Sequence, residues 1–265
     1  MEALSGLLAT VITDGVLSPI ECIKTWQQGS LHPVGFFASA RQLHRNGGAL
    51  AFWAGAYPFF IFNALGGALK FGIYEPLRRR LKPLLRAQVA NYVAAAAAFL
   101  VAATALVPGE LIKQHLQLGM YSSVPAAIGA IWEQRGLAGF YTGFRAVALR
   151  DIPYTMLELG MYESAQALWR FVTSKPELNA VDRAAAATLT GVVTGWMTNP
   201  LDLVKTRMMA NPSAFNGVFD CFAEVSKGNI LALFEGGKTR ALWLLFSFPI
   251  YFVSSLFCYG NVAAA

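Results

Sequence analysis

One short pattern, a proline with an acid two residues on and a lysine five residues on, occurs three times in 265 residues. The copies are Pro19, Glu21 and Lys24 in SPIECIKTWQQ, Pro108, Glu110 and Lys113 in VPGELIKQHLQ, and Pro200, Asp202 and Lys205 in NPLDLVKTRMM. The prolines stand 108 − 19 = 89 and 200 − 108 = 92 residues apart. That period is too long for the common solenoid units and fits a helix-loop-helix module used three times. The expected divisions are 1–85, 86–176 and 177–265, three repeats within a single transmembrane domain.

Each proline closes a mostly apolar segment; before Pro19 the only charges are Glu2 and Asp14. With 55% hydrophobic residues, 14% charged and 19 Phe, at a mean hydropathy of +0.46, a soluble domain would expose too much apolar surface. A bilayer is the expected setting. Uncharged spans of about 20 residues are nevertheless scarce, so the helices are expected to share a polar interior rather than all face lipid. The best run, residues 90–109, is rich in small residues that permit close helix contact.

The start, MEALSGLLATVITDGVL, has an acid at residue 2 and lacks the basic flank of a secretory signal and the arginine-rich start of a transit peptide, so it reads as the first membrane helix. Six long helices are expected, in pairs flanking a short amphipathic piece such as Phe36 to His44, and no stretch alternates as a strand. The fold class is an all-α membrane protein. A net charge of +6 is compatible with anionic ligands or lipids, although Lys and Arg at membrane ends also set topology. Cys22, Cys221 and Cys258 form no C-x-x-C pair, and His32, His44 and His115 lack ligand spacing, so no disulfide or metal site is expected and the histidines are assigned to surface or loops. FEGGKT falls short of a phosphate loop because Ala232 stands at its leading glycine position and no strand precedes it; neither a catalytic constellation nor a nucleic-acid module is recognisable.

An acid and a lysine three positions apart on a helix can pair locally, for little gain. Three such pairs at equivalent depth allow another arrangement, a head-to-tail ring in which each acid meets the next repeat's lysine. The expected ring pairs are Glu21 with Lys113, Glu110 with Lys205, and Asp202 with Lys24. Charges near a membrane interior are costly unless paired, and a paired ring can open when a ligand supplies compensating contacts.

Together with an element Gly-x-x-x-x-aromatic-x-Gly, present as GALAFWAG (Gly48–Gly55) and GLAGFYTG (Gly136–Gly143) and, with Asn for the leading Gly, as NILALFEG (Asn229–Gly236), these motifs make the chain resemble the mitochondrial carrier family throughout its length. The resemblance implies a six-helix barrel of three pseudo-threefold repeats with short matrix helices, in the inner mitochondrial membrane with a plastid envelope as the alternative, moving a small solute by alternating access without a cofactor. Within the family the middle repeat is most similar to S-adenosylmethionine carriers, with mitoferrins as near relatives. That likeness implies solute binding by Arg150, Asp151 and Asp14; snorkelling or an interhelical ion pair for Arg150 and a helix-helix hydrogen bond for Asp14 are the alternatives. Phe62 and Trp243 are available to stack on an adenine, or to pack. The likeness further implies a matrix gate formed by the ring, braced by Gln28 and Gln117, and cardiolipin held at Trp53, Gly55, Tyr141, Gly143, Phe234 and Gly236. The cytoplasmic gate is whole only at Tyr74, Glu75 and Arg78; the second copy, Tyr162, Glu163 and Gln166, lacks its cation, and the third has no charges. That loss leaves a second expectation open, a non-transporting carrier relative serving as a structural subunit of a larger membrane complex.

Overall fold

The computed structural model describes residues 2–174, 177–227 and 229–264; the expected junction at 176/177 abuts residues outside that set. The first repeat comprises α1 (Glu2–Gly29), α2 (Phe36–Gly47), a 3-10 turn (Gly48–Trp53) and α3 (Ala56–Leu81). The second repeats the order with α4 (Ala87–Gln117), α5 (Val124–Arg135), a turn (Gly136–Tyr141) and α6 (Phe144–Thr173). The third holds α7 (Ala180–Met197), α8 (Asn199–Ala210), α9 (Val218–Ser226), a turn (Ile230–Phe234) and α10 (Gly237–Ala264). Among the described residues there is no strand. By length and composition the segments Ala56–Leu81, Ala87–Gln117 and Ile230–Cys258 can cross a membrane.

The third repeat departs from the expected six continuous rods. Pro19 and Pro108 lie inside unbroken helices, whereas the helix carrying Pro200 divides at Thr198 into α7 and α8. Proline lacks an N–H and its ring crowds the carbonyl four residues back, so a break is one of its ordinary outcomes. Side chains at the break tie it to the rest of its repeat: Asn199 Nδ2 donates to the carbonyls of Leu233 at 3.0 Å and Glu235 at 3.3 Å, and Arg240 donates to the Thr198 hydroxyl at 3.1 Å.

The repeats lock together cyclically through the last glycine of each Gly-x-x-x-x-aromatic-x-Gly element. Gly55, Gly143 and Gly236 have φ of 75°, 82° and 70°, the left-handed region that admits glycine most readily. A Cβ on Gly55 would lie 2.7 Å from the Lys113 carbonyl oxygen, one on Gly143 2.6 Å from Met209 Cγ, and one on Gly236 2.8 Å from Gln28 Cγ. Repeat one thus abuts repeat two, two abuts three, and three abuts one. The aromatic of each element ties it to the long helix of its own repeat. Trp53 donates to the Gly15 carbonyl (2.9 Å), Tyr141 to the Thr104 carbonyl (3.1 Å), and Phe234 stacks on Trp196 at 5.6 Å. These targets are equivalent, since 19 − 15, 108 − 104 and 200 − 196 each equal 4. In the third repeat Asn229 replaces the leading glycine by a different device, accepting the Leu231 amide on its side chain (2.9 Å) at φ −156°.

Small residues bring the helices close, as expected for α4. Its Ala90, Ala94, Ala98 and Ala102 are fully buried at fourfold spacing, and a Cβ on Gly109 would meet Phe62 at 2.2 Å. Outward-facing Val253, Leu256 and Phe257 on α10 are exposed apolar groups, suited to lipid.

Candidate functional site

The proline-end charges converge on one level. Lys113 Nζ lies 2.6 Å from Glu21, Lys205 Nζ 2.5 Å from Glu110, and Lys24 Nζ 3.1 Å from Asp202. Each acid therefore meets a lysine of another repeat, linking α1 to α4, α4 to α8 and α8 back to α1. No local acid-lysine pair forms within these three motifs. The lysines at 113 and 205 are buried, and the Lys113 ammonium also sits 3.4 Å from the centre of the Phe59 ring.

The three links are not equivalent. Asp202 is 1% exposed and accepts from Arg150 Nε at 3.0 Å as well as from Lys24, with Arg240 Nη1 at 3.5 Å. Arg150 also pairs with its neighbour Asp151. The two guanidinium groups flank Tyr154, 5.5 and 5.7 Å from its ring centre. Five cations (Lys24, Lys113, Lys205, Arg150, Arg240) thus share four carboxylates (Glu21, Glu110, Asp151, Asp202) in ion pairs. Three of the cations crowd onto Asp202, where an anionic group of a ligand can take over a share of them.

Arg240 escaped the sequence reading because the repeats disguise it. It stands four residues after Gly236, where the other repeats have Phe59 and Val147. Its available signal was a lone arginine in an apolar helix, which marks function by default in a membrane segment. Asp14 and Asp151 differ in state. Asp151 is engaged by Arg150, whereas Asp14 makes neither a hydrogen bond nor an ion pair among the described residues, so the helix-helix hydrogen bond considered for it is absent. For Arg150 the interhelical ion pair considered as the alternative is formed, with Asp202 of α8.

Along α6 the residues Arg150, Tyr154, Glu158 and Tyr162 recur every four positions and share a face. Tyr154 donates to Glu158 at 3.1 Å. On one side of this face lies a cavity of about 240 Å³ between α3, α4 and α6; on the other lies one of about 380 Å³ between α6, α7 and α10. Thr155 borders both. Phe62 is not free to stack on a ligand, being packed against Gly109 and the core around Val107 and Ile112.

The two expected braces behave differently. Gln28 bridges α1 to α8, donating to Asn199 (3.3 Å) and accepting from Thr206 (3.4 Å). Gln117 is buried with neither amide atom hydrogen-bonded, so it braces nothing in this state. The first-repeat residue equivalent to Asn199 is Ser18, whose hydroxyl donates instead to the Phe52 carbonyl at 2.9 Å, and His115 takes the Met209 carbonyl at 2.9 Å. This also corrects the assignment of His115 to surface or loop, since it is 6% exposed within α4. At the opposite end Glu75 pairs with Arg78 and Arg79 of its own helix, both at 2.9 Å, and Tyr74 lies under Arg78. Glu163 is exposed beside half-buried Tyr162. Among the described residues no ion pair joins α3, α6 and α10 there, so the barrel is closed by charge at its proline end and unlatched at the other.

A family model described as mitochondrial carrier protein matches residues 1–84, 86–172 and 176–259. The probable S-adenosylmethionine carrier 2, chloroplastic, of Arabidopsis thaliana is 32% identical over 259 residues, covering 94% of this chain and 70% of that protein. The mitochondrial S-adenosylmethionine carrier protein of Xenopus tropicalis is 28% identical, covering 92% and 85%. The mitochondrial glycine transporter of Saccharomyces cerevisiae is 34% identical over 149 residues, 51% of this chain and 48% of the transporter. Matched in all three repeats and built as a charge-latched helical barrel, the chain belongs to the mitochondrial carrier family.

Proposed function

We propose that the chain transports S-adenosylmethionine, or a related amino-acid-type solute, by alternating access across the inner mitochondrial membrane. The observation carrying this reading is the ring of cross-repeat ion pairs directly beneath Arg150 and Asp151, with three cations on one carboxylate, Asp202, and an acid without a hydrogen bond, Asp14, nearby. A solute carboxylate competes with Asp202 for Arg150 and Arg240, while its ammonium or sulfonium has Asp14 or Asp151 to meet. A ligand shifts a two-state barrel only by its differential affinity for the two states. Loosening the most heavily loaded carboxylate of the ring is where that difference arises. The similarity to relatives named as S-adenosylmethionine carriers favours this solute class, and their chloroplastic and mitochondrial labels leave a plastid envelope as the competing membrane.

Around the closed ring, the turns at Tyr141 and Gly143 border a groove of about 1010 Å³ that also meets Arg145 and the start of α9 at Gly217. Free amides at helix starts and an arginine favour an anionic lipid headgroup such as that of cardiolipin. Trp53, Gly55, Phe234 and Gly236 offer related turns in the other repeats.

The incomplete latch at Glu75, Tyr162 and Glu163 favours a second reading, a structural subunit of a membrane complex. Uptake of labelled S-adenosylmethionine by proteoliposomes separates the two. Saturable uptake that Arg150→Ala abolishes supports transport; absence of uptake by folded protein that co-purifies in a complex supports the subunit.

A further inference from the structure

We propose that the cavity between α3, α4 and α6 seats an aminopurine ring, giving the barrel a heterocycle subsite separate from its charged floor. This deepens the transport reading and rests on it. The space measures about 240 Å³ and is walled by the rings of Tyr74, Tyr92 and Phe99 with Lys70, Asn91 and Thr155 at its polar places. Aromatic walls favour a flat π-system, by stacking or edge contact. The polar groups narrow the choice further. Asn91 Oδ1 is buried and has no hydrogen-bond partner, an unmet acceptor whose desolvation a donor on the ligand would offset. Lys70 makes no ion pair among the described residues and can only donate. A ring that donates an exocyclic amine to Asn91 and accepts from Lys70 at an adjacent ring nitrogen satisfies both groups. A 6-aminopurine has that arrangement; a 6-oxopurine would set an oxygen against the Asn91 oxygen, and a lipid chain would satisfy neither group.

Position along α6 makes the subsite part of the same solute. Thr155 lies five residues from Arg150, about 7.5 Å along the helix axis. A molecule with an amino-acid head at Arg150 and a nucleoside tail in the crevice spans that separation.

The test uses the purified full chain. Adenosine is expected to raise the apparent melting temperature of wild type and guanosine to leave it unchanged, and Asn91→Leu is expected to erase the adenosine effect while melting no lower without ligand. In proteoliposomes the KM for S-adenosylmethionine should rise about tenfold in Asn91→Leu. Lys70→Met provides the same comparison should Asn91→Leu fail to fold. Wild type stabilised equally by guanosine or unaffected by adenosine, or a KM unchanged in both variants, overturns the subsite and marks the crevice as a groove for lipid chains. Adenosine stabilisation that depends on Asn91, without S-adenosylmethionine uptake by wild type, keeps the subsite and overturns the transport reading instead.

Discussion

Asp202→Asn is expected to destabilise the barrel more than any other single change of a ring acid. The carboxylate accepts Lys24 at 3.1 Å and Arg150 at 3.0 Å, with Arg240 at 3.5 Å, and is 1% exposed. Removing its charge leaves Lys24 and Arg240 without a paired carboxylate and Arg150 with Asp151 alone, in a buried layer. Breaking a buried pair by losing one partner costs about 3–5 kcal/mol. At roughly 2–4 °C per kcal/mol for a chain of this size class, the apparent midpoint falls by about 6–20 °C. Glu21→Gln is the internal comparison, because it strands only Lys113, whose ammonium keeps the Phe59 ring at 3.4 Å. The neutral amide can still accept a hydrogen bond, so the cost there is about 1–3 kcal/mol. Thermal unfolding in detergent, followed by a thiol-reactive dye, suits the chain because Cys22, Cys221 and Cys258 are all buried until it opens. Asp202→Asn melting at or above the Glu21→Gln variant would refute the shared-carboxylate reasoning.

Three further outcomes follow from the same geometry. Gly55→Ala puts a Cβ 2.7 Å from the Lys113 carbonyl oxygen at a φ of 75° and should cost about 1–3 kcal/mol in strain, whereas Gly35→Ala, with nothing within 4 Å, should shift the midpoint by less than about 2 °C; equal shifts would show that the repeat contact is slack. Burial pushes the Cys221 thiol, on the short helix α9, up to about 11. Maleimide labelling of that residue in folded protein at pH 7.5 should therefore be slow and should accelerate only as pH rises toward that value or as the chain unfolds; rapid labelling at neutral pH would contradict its buried setting. Arg150→Ala should abolish stabilisation by S-adenosylmethionine, measured as a ligand-dependent midpoint, and an unchanged ligand effect would remove Arg150 from the binding site.

What the sequence disclosed depends on which features repeat. Proline, acid and lysine recur at fixed offsets, so the partners of Glu21, Glu110 and Asp202 followed from closing a threefold ring. The aromatic-x-Gly elements recur as well, yet their role as the cyclic seam between repeats was hidden, because the contacts of Gly55, Gly143 and Gly236 are with Lys113, Met209 and Gln28 of other repeats. Features confined to one repeat were the least legible. Arg240 replaces a phenylalanine and a valine at equivalent positions, and the side chains of Thr198 and Asn199 at the break are held by Arg240 and the Leu233 carbonyl, partners that only the third repeat supplies. Gln117 shows the converse. Its likeness to a brace was read from one helix, while bracing needs a partner on the neighbouring helix, and there Ser18, the equivalent of Asn199, donates to the Phe52 carbonyl instead.

The central claim is that cross-repeat charge pairs close the proline end of the pathway and part during transport. Glu110 and Lys205, at 2.5 Å, offer the cleanest probe, because neither pairs with another charge in the ring. Uptake of labelled S-adenosylmethionine should be abolished by Glu110→Lys and by Lys205→Glu, and largely restored when both are combined, since the swapped charges re-form the α4 to α8 link. A double variant as inactive as either single one, in folded protein, would contradict it.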